Sequence, residues 1–298
     1  MAGAPAILQY APHLSETDFR RLAGYIHSNV GIKLPPQKKG LLESRLRKRL
    51  NRLDMNSYYD YTEYFFSPEG QQEELSHLID AITTNKTDFF RESNHFTYLT
   101  ETALPKLMRT TAKATKHIHI WSSACSRGDE PYTLAMVMED FLTKQGFDFT
   151  ITATDISIKV LNMAVKGVYD HDTIEPVPLN FRKKYLLRSK DKSKNMVRIV
   201  SDLRDRIHFK RMNLMEDFSF LKKFDVIFCR NVIIYFDAPT TRNLMQRICE
   251  QLKPGGFLFM GHSELLEHHL LPVVPTASTV YQKNKRQKED PCPIELKS

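Results

Sequence analysis

His117-Ile118-His119-Ile120-Trp121 runs directly into Ser122-Ser123-Ala124-Cys125-Ser126-Arg127-Gly128-Asp129-Glu130-Pro131-Tyr132. The first five residues predict a short strand, and the small side chains after them predict a turn. Acidic residues with Pro131 in a first-turn position then predict the mouth of a helix over 131–142. Small side chains after a first strand let a bound nucleoside approach the backbone closely. Gly128 is the one glycine in the run, so this is a poor dinucleotide fingerprint. Acids at the helix mouth also oppose a pyrophosphate and suit a cationic or zwitterionic ligand better. An ordinary strand-to-helix turn accounts for the same residues.

Further along the chain the rhythm repeats. Residues 149–154 predict a second strand and 158–164 a second helix. Asp155 ends that strand at roughly the spacing of ~20 residues expected of a ribose-binding carboxylate; an N-cap for the next helix is the plain alternative. Residues 224–229 form a nearly continuous apolar strand, followed by a helix over 239–252 and strands at 257–261 and 279–282. Uniformly apolar short strands between helices predict an α/β fold with a buried, largely parallel sheet covered on both faces. The pattern is interrupted over 176–208, where 185–187, a polar turn at 189–195 and 196–200 predict a small antiparallel insertion.

Toward the N-terminus the texture is helical over 15–82. Ser15 with Asp18 three residues on predicts a capped start, and Phe19, Leu22 and Ile26 share a face. Gly31 and Pro35-Pro36 break the chain. A helix follows over 38–53, with Leu41, Leu42, Leu46, Leu50 and Leu53 as its apolar stripe. Lys38, Lys39, Arg45, Arg47, Lys48, Arg49 and Arg52 crowd around that stripe, opposed by Glu43 alone. Residues 58–66 and 73–82 predict two more helices.

The 298 residues suit about two domains. Hydrophobic residues at 41% and charged residues at 26% exclude wholesale disorder. No apolar run of about 20 residues predicts a membrane span. Residues 1–12 lack the basic and apolar regions of a signal peptide, so a cytoplasmic location is expected. Cys125, Cys229, Cys249 and Cys292 are scattered, and no His cluster sits at metal-ligand spacing, so neither a disulfide framework nor a metal site is expected. The net charge of +8 points to an acidic partner, whether nucleic acid, an anionic membrane surface or an acidic protein.

Ile82-Thr83-Thr84-Asn85-Lys86-Thr87-Asp88-Phe89-Phe90-Arg91-Glu92 resembles the linker signature of the CheR family, the chemotaxis receptor methyltransferases. The turn through Glu130-Pro131-Tyr132 resembles that family's ligand loop. Thr154-Asp155-Ile156, Asn213-Leu214, the run from Phe224 through Arg230-Asn231 to Tyr235-Phe236, Pro254-Gly255-Gly256 and Gly261-His262-Ser263-Glu264 match in order. The resemblance covers roughly residues 15–284.

The resemblance implies a Rossmann-like class I methyltransferase sheet of seven strands, the last antiparallel, with a small antiparallel insertion and an all-α N-terminal domain. It divides the chain into a helical domain over 1–82, a linker over 83–100 and a catalytic domain over 101–285, with a disordered tail over 286–298. It implies S-adenosyl-L-methionine (SAM) as cofactor, S-adenosyl-L-homocysteine as product, and glutamate side chains of receptor helices as substrate. Asn85, Thr87 and Arg91 are implied to reach over the cofactor from the linker, beside Ala124. Asp129 is implied at its amino-acid end, Asp155 and Ile156 at the ribose, and Asn213 and Leu214 at the adenine. Arg230 and Asn231 match further cofactor-side positions, and Tyr235 a position near the reactive methyl. Arg91 and Tyr235 are the implied catalytic residues. The family usually has Glu where Asp129 stands and a small hydroxyl residue where Arg127 stands.

Methyl transfer to an already ionised carboxylate needs no general base, so the lack of a catalytic histidine or dyad fits this reaction. Lys38, Lys39, Arg45, Lys48, Arg49 and Arg52 are then candidates to steer an acidic receptor helix. The insertion matches in position the one by which the family docks a receptor's C-terminal peptide. A monomer acting on receptor helices is expected, without nucleic acid and without membrane insertion. Two other classes compete. A nucleic-acid methyltransferase fits the charge, but the run at Arg230–Phe236 lacks the Asn-Pro-Pro-aromatic arrangement used around a flipped base. A non-catalytic sensor of the cofactor or a nucleotide is disfavoured by intact Asn85, Arg91, Asp155 and Tyr235.

Overall fold

The computed structural model describes residues 13–285, apart from 111 and 192. Expectations for residues 1–12, Cys292 and the tail over 286–298 lie outside the described residues. Helix α1 (Glu16–Val30) starts at Ser15, which accepts from the Asp18 N–H at 3.0 Å and donates to the Asp18 carboxylate at 2.6 Å. It stops at Gly31, whose φ of 76° lies in the left-handed region that favours glycine. Helices α2 (Lys39–Arg52), α3 (Tyr58–Phe66), α4 (Pro68–Glu73) and α5 (Leu75–Ile82) follow.

Leu42, Leu46 and Leu50 pack inward on Leu22, Ile26, Tyr58, Tyr61 and Phe65 to make a core of their own. Leu41, expected on that stripe, is 42% exposed because one position of helix turns it away from the i, i+4, i+8 row. The single helix expected over 73–82 is broken at Glu74, whose carboxylate turns inward to Arg49.

Helices α6 (Asn94–Tyr98) and α7 (Leu104–Arg109) lead to β1 (His117–Ser123), α8 (Asp129–Leu142), β2 (Asp148–Asp155) and α9 (Ile158–Lys166). Then come β3 (Val168–Asp170), α10 (Leu179–Tyr185), β4 (Leu186–Arg188), β5 (Met196–Ile199) and α11 (Ser201–Arg204). The chain continues through β6 (Ile207–Arg211), β7 (Phe224–Cys229), α12 (Ala238–Gln251), β8 (Leu252–Met260), β9 (Val273–Ala277) and β10 (Val280–Lys283).

Seven strands form one sheet in the order β6-β2-β1-β7-β8-β10-β9, and β10 runs antiparallel to both its neighbours. Strands β3, β5 and β4 form a separate antiparallel sheet. The insertion therefore opens at Val168, earlier than the expected 176, and residues 207–208 belong to the main sheet as the start of β6. Strand β6 escaped the sequence because its edge position leaves polar His208, Lys210 and Arg211 in the run. Strand β9 escaped because Pro275 interrupts a mostly exposed edge.

All six residues of β7 are buried, as a strand covered on both faces requires. Trp121 is fully buried, and its indole N–H donates to Thr154 Oγ1 at 2.9 Å, pinning β1 to β2. Ser123 pairs with Thr154 on one side and Cys229 on the other, so β1, β2 and β7 end flush. Between β1 and β7 the strand order reverses, and the crevice beyond such a switch point is where α/β sheets bind ligands. Among the described residues, no helix is long and apolar enough to cross a membrane.

Candidate active site

A cleft lies over the ends of β1, β2 and β7. Asn85, Thr87 and Arg91 line it from the linker after α5, and Ala124 from the turn after β1. Asp155 and Ile156 line it from the end of β2, and Asn213 and Leu214 from the segment after β6. Arg230, Asn231 and Tyr235 line it from the segment after β7. The turn after β1 is tightly coiled, with Ala124 at φ 55°, Ser126 at 50° and Gly128 at 98°. A Cβ on Gly128 would meet Tyr169 Oη at 2.9 Å and Ala164 Cβ at 3.0 Å, so glycine lets α8 sit close to α9.

Asp129 does not face the cleft. It is fully buried and bonds Arg127 through both oxygens, at 2.9 and 3.0 Å. The next residue, Glu130, lines the cleft instead, held by Ser122 Oγ at 2.7 Å and Arg230 Nη1 at 3.2 Å. The placement follows from helix geometry: consecutive residues at the start of α8 point about 100° apart. Burial pushes the Glu130 carboxyl above the usual range, although Arg230 and Ser122 pull the other way.

Asp155 accepts from the Ser126 N–H at 2.8 Å through one oxygen and the Ser157 N–H at 2.9 Å through the other. The N-cap of α9 is Ser157, so Asp155 is left facing the cleft. Burial likewise raises its carboxyl. Both acids thus stand where a cationic or hydroxyl-rich ligand would improve their surroundings.

Arg230 is a hub. Its side chain is 2% exposed and reaches Glu92 at 3.0 Å, Glu130 at 3.2 Å and the Arg91 carbonyl at 2.5 Å. It thereby ties the linker to the sheet as well as lining the cleft. Buried Glu264 accepts four backbone N–H groups at 2.7–2.9 Å, from Asn231, Val232, Ile233 and Gly261. That carboxylate fixes the turn carrying Tyr235 and holds Asn231 at φ 58°.

The N-terminal helices close one wall, which sequence reasoning missed. Val30 and Ile32 line the cleft on either side of Gly31. The Lys33 N–H donates to the Tyr235 carbonyl at 2.9 Å, Asn213 Nδ2 to the Asn29 carbonyl at 2.7 Å, and Ser157 Oγ to Asp80 at 2.5 Å. Val30, Ile32 and Lys33 are distant in sequence from the rest of the cleft, and no motif marks them.

The basic helix divides into two sets. Arg45 donates to the carbonyls of Ala81, Ile82 and Thr83, closing the C-terminus of α5. Arg49 pairs with Glu74 through two bonds of 2.7 and 2.6 Å. Lys39 pairs with Glu16 at 2.6 Å. Lys38, Lys48 and Arg52 are exposed. The structure therefore turns Arg45 and Arg49 inward, toward the end of α5 and Glu74.

A doubly wound sheet with its final strand antiparallel, a small-residue turn at the switch point and a carboxylate ending the second strand define an S-adenosylmethionine-dependent methyltransferase. The cleft fits that cofactor, offering carboxylates for its cationic amino-acid end and ribose and apolar Ile156, Met212 and Leu214 for a base. Residues 85–281 match the family model for the CheR methyltransferase SAM binding domain, and residues 17–83 the CheR methyltransferase all-alpha domain. The chain is 39% identical to a chemotaxis protein methyltransferase of Borreliella burgdorferi, over 91% of this chain and 96% of that one. It is 36% identical to chemotaxis protein methyltransferase 2 of Pseudomonas aeruginosa, over 90% and 94%. With the chemotaxis protein methyltransferase of Escherichia coli K12 the identity is 33%, over 91% and 92%. The chain belongs to the CheR methyltransferase family, and its cofactor is SAM.

Proposed function

We propose that this protein methylates glutamate side chains on the helical cytoplasmic domain of chemotaxis receptors, working in the cytoplasm. As a CheR methyltransferase it is an enzyme, a protein-glutamate O-methyltransferase. The observation that carries the substrate reading is that Arg91 and Tyr235, from segments far apart in sequence, line one cleft together with Asp155 and Glu130.

When bound, SAM supplies an electrophilic methyl group on a sulfonium. The substrate carboxylate, with an ordinary pKa of about 4.3, is already a nucleophile at neutral pH. No histidine is among the described residues lining the cleft, and none is required. Positioning and exclusion of water remain, and together are worth roughly 7–11 kcal/mol. Arg91 pairs with the incoming carboxylate, and the Tyr235 hydroxyl donates to one of its oxygens. Asp155 holds the ribose hydroxyls, and Asn85, Thr87, Ala124 and Ile156 pack around the cofactor. Glu130, in the place first expected of Asp129, meets the cationic amino-acid end. Asn213 and Leu214 flank the adenine, while Arg230 and Asn231 orient the linker over it.

The helical unit over 1–82 faces the receptor, the linker over 83–100 carries cofactor contacts, and the remainder to 285 holds the sheet. Lys38, Lys48 and Arg52 steer toward acidic receptor helices, with Lys39 contributing once freed from Glu16. The exposed edge of β4, where Leu187 is 57% exposed, offers a strand for a receptor's C-terminal peptide. Incubation with tritiated cofactor and receptor cytoplasmic domains tests the reading. Alkali-labile methyl esters on glutamate are expected, and label on nucleic acid instead would overturn it.

A further inference from the structure

No His cluster is visible at metal-ligand spacing along the chain, yet the fold makes one from residues about 170 positions apart. Glu92 and His95 lie three residues apart within the linker, Glu92 in the turn before α6 and His95 on α6, and His262 follows the end of β8. One ligand atom from each lies within 4.8 Å of the others.

His95 is 1% exposed. Thr279 Oγ1 has one hydrogen, which it donates to the Ser278 carbonyl at 2.8 Å. With that hydrogen on Ser278, Thr279 Oγ1 accepts at 2.9 Å from His95 Nε2 in the tautomer that carries the ring proton there. His95 Nδ1 is buried and without a hydrogen-bond partner. It points at Glu92 Oε2, 3.5 Å away. His262 Nε2 lies 3.9 Å from the same oxygen, on a side chain 46% exposed. In the Nε2–H tautomer, Nδ1 and Oε2 are two acceptors facing each other in a buried site, and a cation between them removes their repulsion.

We propose that Glu92, His95 and His262 form a divalent transition-metal site, with a fourth position open to solvent beside His262. Two imidazole nitrogens and one carboxylate suit Zn²⁺ or Co²⁺, whereas Mg²⁺ and Ca²⁺ require oxygen sets. A tetrahedral ion with bonds of about 2.1 Å brings its ligands to about 3.4 Å apart, so His262 swings inward. The Thr279 bond to His95 Nε2–H is the outer partner that orients a metal-binding imidazole. Arg230 also bonds Glu92, but Glu92 and Glu130 share that one guanidinium, leaving a net negative charge for the ion. Because Glu92 also orients Arg230 at the cleft, occupancy weakens cofactor binding, and the cofactor weakens metal binding by the same factor.

Co²⁺ titration of the full chain, followed by visible absorption, tests this. The native protein and the surface control His269→Ala should each take up about one equivalent with tetrahedral bands that Zn²⁺ bleaches. His262→Ala, at an exposed position, should bind at least about tenfold more weakly. Calorimetry should show SAM binding more weakly when Zn²⁺ is present. Absence of bands in the native protein, or equal binding by His262→Ala, would overturn the site. SAM affinity unaffected by saturating Zn²⁺ would overturn the coupling.

Discussion

The Arg127 guanidinium meets both oxygens of the Asp129 carboxylate, at 2.9 and 3.0 Å, with Asp129 fully buried and Arg127 26% exposed. The two positions that the sequence resemblance marks as departures from the family's usual residues are therefore partners. Arg127→Ala should cost about 2–3 kcal/mol, somewhat below a wholly buried pair because Arg127 keeps some solvent. The sign with pH follows from Asp129. Burial raises its carboxyl and Arg127 lowers it, so removing Arg127 raises it further. The folded variant then binds the proton more tightly than the unfolded chain, and its stability falls as pH rises through the carboxylate range. Urea unfolding should show the gap from wild type widening between pH 4 and pH 8.

That pair also marks what the sequence could and could not reveal. The apolar runs of β1, β2 and β7 were legible because strands buried on both faces must be apolar throughout. The family motifs brought Asn85, Arg91, Asp155, Asn213, Arg230 and Tyr235 to one cleft, as the structure places them. Choosing between Asp129 and Glu130 was out of reach, since adjacent acids at a helix start differ only in direction. Strands β6 and β9 were hidden by the polar residues and Pro275 that edge positions tolerate. The roles of Arg45 and Arg49 were hidden because a basic run does not show which cations meet a buried acid or a helix end.

Glu130→Gln should weaken SAM binding about 10- to 100-fold, as loss of a charged partner to a cationic ligand implies. Asp129→Asn should change it by less than about threefold, because its side chain faces Arg127 rather than the cleft. Calorimetric titration of the two variants distinguishes the acids; the reverse ranking would return the contact to Asp129.

The two sets of cations on α2 should separate in experiment. Lys48→Glu with Arg52→Glu should slow receptor methylation and flatten its salt dependence while thermal unfolding stays within a few degrees of wild type. Arg49→Ala should instead destabilise the helical unit by about 3 kcal/mol, since Glu74 is left buried with the Tyr61 hydroxyl but without its cation. Salt-series kinetics and unfolding curves read the two effects independently.

Glu264→Gln places an amide donor against backbone N–H groups that now meet carboxylate oxygens. It should lose about 2–4 kcal/mol and reduce turnover through disorder of the Asn231–Tyr235 turn. Amide hydrogen exchange at Val232 and Ile233, faster than in wild type while the β1 and β7 amides stay protected, is the expected signature.

In the proposed reaction, Arg91 and Tyr235 orient one carboxylate at the cleft they share. The most direct measurement is the rate of alkali-labile methyl ester formation on a receptor cytoplasmic fragment, at saturating SAM, for Arg91→Ala and Tyr235→Phe. Arg91→Ala should lower turnover by about 100-fold and Tyr235→Phe by about tenfold, with both variants folded and binding cofactor. Wild-type turnover in Arg91→Ala with bound cofactor would contradict the account.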